Sequence, residues 1–330
     1  MSLRERLAYV ALCVVREPFR RLPVEASLAL GAALGRGYAA TRSRRVGFAR
    51  ENLRIAFPDW SEERRREVLR ESLANVGRTL AELALLQGPR RDRLLAGVRI
   101  EGFENVDLAR AQSGCKGVIA VTAHLGNWEL GGMAVAAQGL ALRVVHRPIN
   151  NAHIEAMVRG WRESAGLVPL PFRGAAAGAL RALRDGHHVL MLIDQDCPRS
   201  EAIFSDFFGL PAATRKAPAR LAMKTGAAVL PVSVERQGGG AHHVVRIGAP
   251  LALVPEGQPG ALEDNVATMN RALEAMIRRV PTQWSWLHRR WRTRPEVGLS
   301  GPYASRRGGR ARSLSRVLRG KGGSSEKTTN

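Results

Sequence analysis

The chain has 330 residues, 45% hydrophobic and 24% charged, enough to bury a full core in one or two domains. Its three cysteines, Cys13, Cys115 and Cys197, are scattered and odd in number, which fits a reducing compartment and argues against a disulfide framework or a zinc site. Lys and Arg number 51 against 29 Asp and Glu, and the net charge of +22 expects an anionic partner: nucleic acid, anionic lipid headgroups or an acidic carrier protein.

In chain order, the first apolar run, Leu7 to Val15, is nine residues long and flanked by Arg4, Arg6 and Arg16. A membrane span needs about 20 apolar residues. The next stretch, Leu22 to Ala40, is interrupted by Glu25 and Arg36. Residues 1–40 therefore read as helices lying on a membrane surface, apolar face down and arginines at the headgroups, with a buried helical pair as the plainer alternative. Ser61, after the break at Pro58-Asp59, opens a helix whose apolar positions Val68, Leu69, Leu73, Val76, Leu80 and Leu83 recur at helical spacing. Residues 1–90 form a helical, membrane-associating region on this reading.

The pattern changes near Gly97. Gly117 to Ala123 reads as a strand buried on both faces, and Leu142 to Val145, Val189 to Ile193, Ala228 to Val234 and His243 to Ile247 are further strands. Helical patterns at about 151–165, 175–185, 213–225 and 262–279 separate most of them. Alternation of this kind predicts an α/β fold: a mixed, mostly parallel sheet flanked by helices, over a catalytic domain of residues 91–300. Residues 301–330 read as a basic, disordered tail. From Tyr303 onward it holds eight basic residues and one acidic, leaving about +15 on the rest of the chain.

The strand at 117–123 runs into His124-Leu-Gly-Asn-Trp-Glu129. Side chains at the carboxyl ends of strands meet the ligand crevice of an α/β sheet. A histidine there, with a carboxylate five residues on across a Gly-Asn turn, can form a pair in which the acid fixes the imidazole and its free nitrogen takes a proton from a hydroxyl. A helix-capping histidine with a solvated Glu129 is the plain alternative. Adjacent histidines at 187–188 and 242–243 point to opposite faces of a strand, so neither pair converges on a metal. No Gly-x-Ser-x-Gly elbow, phosphate loop, dinucleotide fingerprint or His-Glu-x-x-His occurs.

His124 to Glu129 resembles the His-x4-Asp/Glu motif of the glycerolipid acyltransferase superfamily, in the form found in its bacterial lipid A biosynthesis branch, the late lauroyl and myristoyl transferases. Asn52-Leu-Arg-Ile-Ala-Phe-Pro58, Asn75-Val-Gly-Arg-Thr-Leu-Ala-Glu82, His146-Arg-Pro-Ile-Asn-Asn151, Asp194-Gln-Asp196 with Phe207-Phe-Gly209 and Thr214, and Gln283-Trp-Ser-Trp-Leu-His-Arg-Arg-Trp-Arg-Thr-Arg-Pro295 agree in order. The likeness spans roughly residues 45 to 295. It implies an O-acyltransferase that moves a fatty acyl group from an acyl carrier protein thioester, or acyl-CoA, to a hydroxyl of a lipid A precursor or similar glycolipid. It implies His124 as base, Glu129 as its orienter, and Arg162 and Asp194 as further site residues. No cofactor beyond the acyl donor is expected, and a location on the cytoplasmic face of the inner membrane is.

For the substrates, Asn127, Arg147, Phe207, Phe208, Arg289 and Arg290 are the candidate contacts: the arginines for phosphate or an acidic carrier, the phenylalanines for an acyl groove. Ordinary core for Phe207 and Phe208, and structural stacking for the Trp/Arg run, stand beside those roles. Trp284 and Trp286 are expected to alternate on a strand. Acyl carrier protein and anionic lipid are the expected partners. A nucleic-acid-binding protein is the competing class, but 5% aromatic content and the absence of a recognisable binding motif weigh against specific nucleic-acid recognition.

Overall fold

The computed structural model describes residues 3–86, 88–171, 174–296 and 302–303. The chain opens with five helices, α1 (Leu3–Arg21), α2 (Val24–Ala39), α3 (Arg44–Ala56), α4 (Glu62–Leu85) and α5 (Arg91–Ala96). Ser43 caps α3 by accepting from Arg45 N, and Ser61 caps α4 by accepting from Arg64 N. Glu62 and Glu63 in the first turn of α4 suit the positive end of its dipole.

Helices α2 and α4 touch backbone to backbone. A side-chain carbon on Gly31 would collide with the Gly77 carbonyl oxygen, one on Gly77 with the Gly31 carbonyl, and one on Gly35 with the Leu73 carbonyl. Three glycines therefore fix this crossing. Helix α1 is different: none of its residues is buried, and Leu3, Leu7, Val10 and Val14 stand exposed on one face. The helical pair expected within residues 1–40 is present. Its second helix is packed, and its first presents an apolar stripe outward.

Beyond α5 come β1 (Val98–Glu101), α6 (Glu104–Gln112), β2 (Ile119–Thr122), α7 (Trp128–Ala137), β3 (Leu142–His146), α8 (Ala152–Ser164), β4 (Val168–Pro171), α9 (Ala175–Arg184) and β5 (His188–Leu192). The chain continues through β6 (Ala202–Phe207), β7 (Leu210–Arg215), α10 (Ala217–Thr225), β8 (Val229–Arg236), β9 (His243–Ile247) and α11 (Ala261–Arg279). Seven strands form one sheet in the order β1-β9-β8-β2-β5-β3-β4, and β6 pairs with β7 as a separate hairpin. Only the β8–β9 pair in the large sheet is antiparallel. The predicted mixed, mostly parallel sheet between helices is what the chain forms.

Strand β2 shows why its sequence is continuously apolar. Ile119 and Val121 join a core with α9, α10 and α11, while Val118 and Ala120 face a second core with α6 and α7. Both cores also take residues from the N-terminal helices: Leu53 and Leu73 in the first, Leu28 and Leu85 in the second.

Two expectations are corrected. Residues 213–225 are not one helix: Leu210–Arg215 is a strand, and α10 starts at Ala217 with Pro218 in its first turn. The two-residue turn between β6 and β7 holds both Phe208 (φ 53°) and Gly209 (φ 76°) in the left-handed region that hairpin turns require, an unusual place for an aromatic residue. Trp284 and Trp286 lie on a buried strap rather than a regular strand; a lone bridge joins Leu125 to Trp284. The tail assigned to 301–330 falls outside the described residues except for Pro302 and Tyr303. Tyr303 is anchored, donating to Asn52 Oδ1 and accepting from Trp291 N.

Because α2 and α4 meet through glycine, Gly77→Leu should overpack the crossing and cost roughly 3 kcal/mol. Thermal melting followed by circular dichroism should show a midpoint several degrees lower; a melt superimposable on the parent's would show that the contact is dispensable.

Candidate active site

Strands β2 and β5 are parallel neighbours with Thr122 opposite Leu192, so both chains leave the sheet at the same edge. Two residues further on each chain stand His124 and Asp194. The imidazole Nδ1 lies 2.8 Å from Asp194 Oδ1, and His124 N donates to Asp194 Oδ2 at 2.9 Å. Trp284 Nε1 donates to the same Oδ2 at 2.7 Å. Burial alone would raise the Asp194 pKa, but the His124 charge and these donors outweigh it and hold the carboxyl at about 2. Burial pulls the other way on His124. The Asp194 charge and hydrogen bond, with a further contribution from Glu129, nevertheless lift the imidazole above its ordinary value.

With Nδ1 bonded to a carboxylate, neutral His124 carries its proton there and leaves Nε2 as the acceptor. The Gln195 amide nitrogen lies 3.3 Å from Nε2, and the Trp128 ring stands edge-on at 4.8 Å.

The carboxylate bonded to the imidazole is thus Asp194, whereas Glu129, expected beside the ring, is bonded elsewhere. Five residues of turn and first helical turn carry Glu129 away from the imidazole toward α8. There it binds Arg162, through Nε–Oε2 at 2.9 Å and through Nη2–Oε1. Burial lowers the Arg162 pKa, but the Glu129 bonds and charge, with the Glu155 charge, raise it overall. Glu155 in turn binds His146 Nε2 and Ile149 N, each at 2.8 Å. Arg147 follows β3 on the same sheet edge as His124 and is exposed.

The remaining substrate candidates are also placed. Asn127 is fully buried; it caps α7 by accepting from Leu130 N and donates to Glu82, so it is an internal strut and not a substrate contact. Phe207 and Phe208 are core, packed with Phe57, Trp284, Trp286 and Trp291, because their hairpin folds inward over α11. Arg290 is fully buried, donating to Ala213 O and Thr214 Oγ1, and burial pulls its pKa down to about 10. Its charge serves the fold. Arg289 is half-buried with its guanidinium 5.0 Å from the Phe48 ring centroid.

The Gln283–Pro295 segment straps the site from behind. Ser285 N donates to His124 O, Gln283 O accepts from Gly126 N, and Thr293 holds Asp196 through N and Oγ1. Asp196 N donates to His288 Nε2 at 2.9 Å. Asn52 on α3 grips the strap through the Trp286 and His288 carbonyls. Gly126 needs its positive φ of 59°, and a side-chain carbon there would strike the Val234 carbonyl.

Two features escaped the sequence reading. Gln195 was visible in the Asp194-Gln-Asp196 motif but received no role. A narrow apolar cleft, lined among others by Trp128, Gly132, Ala120, Leu190, Leu142 and Val245, runs between α7 and the sheet. Small residues in α7 (Gly131, Gly132, Ala134) were the available signal for it.

Comparison with known proteins identifies the family. The model of the bacterial lipid A biosynthesis acyltransferases matches residues 3–293. The lipid A biosynthesis palmitoleoyltransferase of Escherichia coli K12 is 32% identical over 290 residues, covering 86% of this chain and 90% of that protein. The lauroyltransferase of the same organism is 28% identical over 279 residues, 84% and 88% of the two chains. A phosphatidylinositol mannoside acyltransferase of Mycobacterium tuberculosis is 30% identical over 145 residues, 43% and 45% of the two. With the match running from α1 through the strap, and so taking in both strand ends of the His124–Asp194 pair, the chain belongs to the bacterial lipid A biosynthesis acyltransferase family and is an O-acyltransferase.

Proposed function

We propose that the protein transfers a fatty acyl group from an acyl carrier protein thioester to a hydroxyl of a lipid A precursor, with His124 as general base. The observation that carries this reading is the 2.8 Å His124–Asp194 pair at the sheet edge. Nε2 takes the proton of the acceptor hydroxyl as its oxygen attacks the thioester carbonyl. The carbon–sulfur bond then breaks, and the imidazolium returns the proton to the leaving thiolate. Asp194, ionised throughout, holds the ring and stabilises the imidazolium. Glu129 engages Nε and Nη2 of Arg162 and so fixes the guanidinium beside the turn, where its cationic field stabilises the oxyanion of the tetrahedral intermediate. This sequence uses protein groups and the two substrates alone.

The cleft beneath Trp128 is the place for the acyl chain. Val118, Ala120 and Thr122 line it along β2, a stretch of roughly 13 Å at ~3.3 Å per residue. Its wall is apolar, and Thr122 and Trp128, which line it, lie on either side of His124 in the chain. Helix α1 is the membrane contact: its exposed Leu3, Leu7, Val10 and Val14 lie between Arg4, Arg6 and Arg21, the pattern of an interfacial helix on an anionic leaflet. No helix among the described residues is long and apolar enough to cross a membrane. Docking on the cytoplasmic face of the inner membrane would bring the lipid acceptor to the site from one side and the acidic carrier from the other. A second acceptor reading, a different glycolipid, is favoured by the likeness to the mannoside acyltransferase over 145 residues.

Four measurements test this reading. With radiolabelled acyl carrier protein and lipid A precursor, His124→Ala should lose transfer by at least about a thousandfold, and Asp194→Asn by about 10²–10⁴ in kcat. Because Asp194 raises the His124 pKa, the acidic limb of kcat/KM should lie above the ordinary ~6.5 of histidine, and in Asp194→Asn it should move to lower pH. A His124→Ala enzyme within tenfold of wild type would end the base assignment. Filling the cleft with Ala120→Phe should shift the products toward shorter acyl chains by mass spectrometry; an unchanged chain profile would place the acyl chain elsewhere. Replacing Leu7 and Val14 by Asp should weaken sedimentation with anionic vesicles by about tenfold or more, and undiminished binding would remove α1 from the membrane contact.

A further inference from the structure

We propose that Glu82 of α4 is a positioning residue for acyl transfer, setting through Asn127 where the His124 turn stands. The inference rests on the reading of His124 as the base. Glu82 is fully buried, and its two oxygens take Arg236 Nη1 and Nη2 at 2.6 and 2.7 Å, His243 Nε2 at 2.9 Å and Asn127 Nδ2 at 2.8 Å. A carboxylate has about four acceptor positions, and this one has all of them engaged. Arg236 continues the network, donating through Nε to Asn75 Oδ1 and through Nη1 to Gly240 O, each at 2.8 Å. Gln283 clasps the Arg236 backbone on both sides and passes its own carbonyl to Gly126 N.

What distinguishes this cluster from ordinary core is where it ends. A buried ion pair is on average no more stabilising than well-packed apolar side chains of the same volume, so stability alone is a weak reason for one here. Three of its contacts reach the residues that follow β2: Gln283 O takes Gly126 N, Thr79 binds Gly126 O, and Glu82 holds Asn127. Thr79, one helical turn from Glu82 on the same face of α4, donates to Gly126 O at 3.1 Å. Asn127 links Glu82 to the N-terminus of α7, where Glu129 sits two residues on. The turn must stay within hydrogen-bond reach of Asp194 at two atoms of His124, Nδ1 and the backbone N. A displacement of even half an ångström stretches both bonds beyond their normal range. Helix α4 thus holds from behind what Asp194 holds from the strand end.

Neutralising Glu82 would strand the Arg236 charge in the core and test folding before catalysis. The cleaner variant is Asn127→Ser, since serine caps a helix as well as asparagine does but has no amide to reach Glu82. We expect a melting midpoint within about 3 °C of wild type, KM for both substrates within about twofold, and kcat lower by about tenfold or more. A loosened turn also weakens the hold of Asp194 on the imidazole. Because that hold raises the His124 pKa, the acidic limb of kcat/KM should move to lower pH. Glu82→Asp, which keeps the charge against Arg236 but draws it back from Asn127, should show the same two changes. A merely structural role would reduce the folded fraction and leave the limb in place. Folded Asn127→Ser enzyme with wild-type kcat and an unmoved limb would overturn the proposal. His124→Ala is assayed alongside: an active His124→Ala enzyme sinks the base assignment, whereas an inactive one beside a fully active Asn127→Ser enzyme sinks the positioning role alone.

Discussion

The bond between the His124 imidazole and the Asp194 carboxylate exists only because two parallel strands end in register. Strands β2 and β5 are consecutive neighbours in the sheet but 70 residues apart in sequence, and no local spacing brings their ends together. Once they pair, position 124 must face position 194. A buried carboxylate in that place is costly unless donors surround it. Trp284 and the His124 backbone supply them, which is why the strap that carries Trp284 must close over the site. The strap is fixed in its turn by Asn52, Ser72 and Asn75 on α3 and α4. The N-terminal helices therefore reach the chemistry by a chain of buried polar contacts rather than by supplying a reacting group.

This dependence explains which parts of the molecule could be read from sequence. Strands β2 and β5 were legible because their apolar runs are nearly unbroken and mostly buried, and β3, β8 and β9 because valine and isoleucine recur in them between polar positions such as Arg143, Ser233 and Arg246. Strands β1 and β4 were not: Val98–Glu101 carries alternating charge, and Val168–Pro171 has two prolines on the sheet edge, where a missing donor is tolerated. The β6–β7 hairpin was obscured because its turn is Phe-Gly rather than Asn-Gly, so an apolar cluster hid a turn that needs positive φ. In the site, His124 was legible from its place at a strand end. The partner was not, because a carboxylate five residues away in sequence is a more visible candidate than one across the sheet. Asp194 and Arg162 came from family likeness, and only the structure distributes the two acids between the two bases.

The same lesson applies to charge. Arg290 and Arg236 look like ligands for phosphate in a chain of net charge +22, yet both are buried and engaged internally. Hydrogen bonding to backbone carbonyls and stacking on aromatic rings give arginine a structural use that composition cannot separate from binding. The cations on exposed faces, such as Arg147 at the sheet edge and Arg4 and Arg6 on α1, are the ones open to solvent. Electrostatic attraction to a partner is a property of that subset.

The raised His124 pKa carries a consequence for catalysis in both directions. A more basic imidazole removes a hydroxyl proton more readily, but a larger fraction of it is protonated and idle at neutral pH. In the proposed acyl transfer the same ring would next return the proton to a leaving thiolate, which is a weak base and needs little help. The demanding step is thus proton removal from an alcohol, and a stronger base is the better compromise. On that reading two carboxylates raise the imidazole, Asp194 by direct contact and Glu129 at longer range.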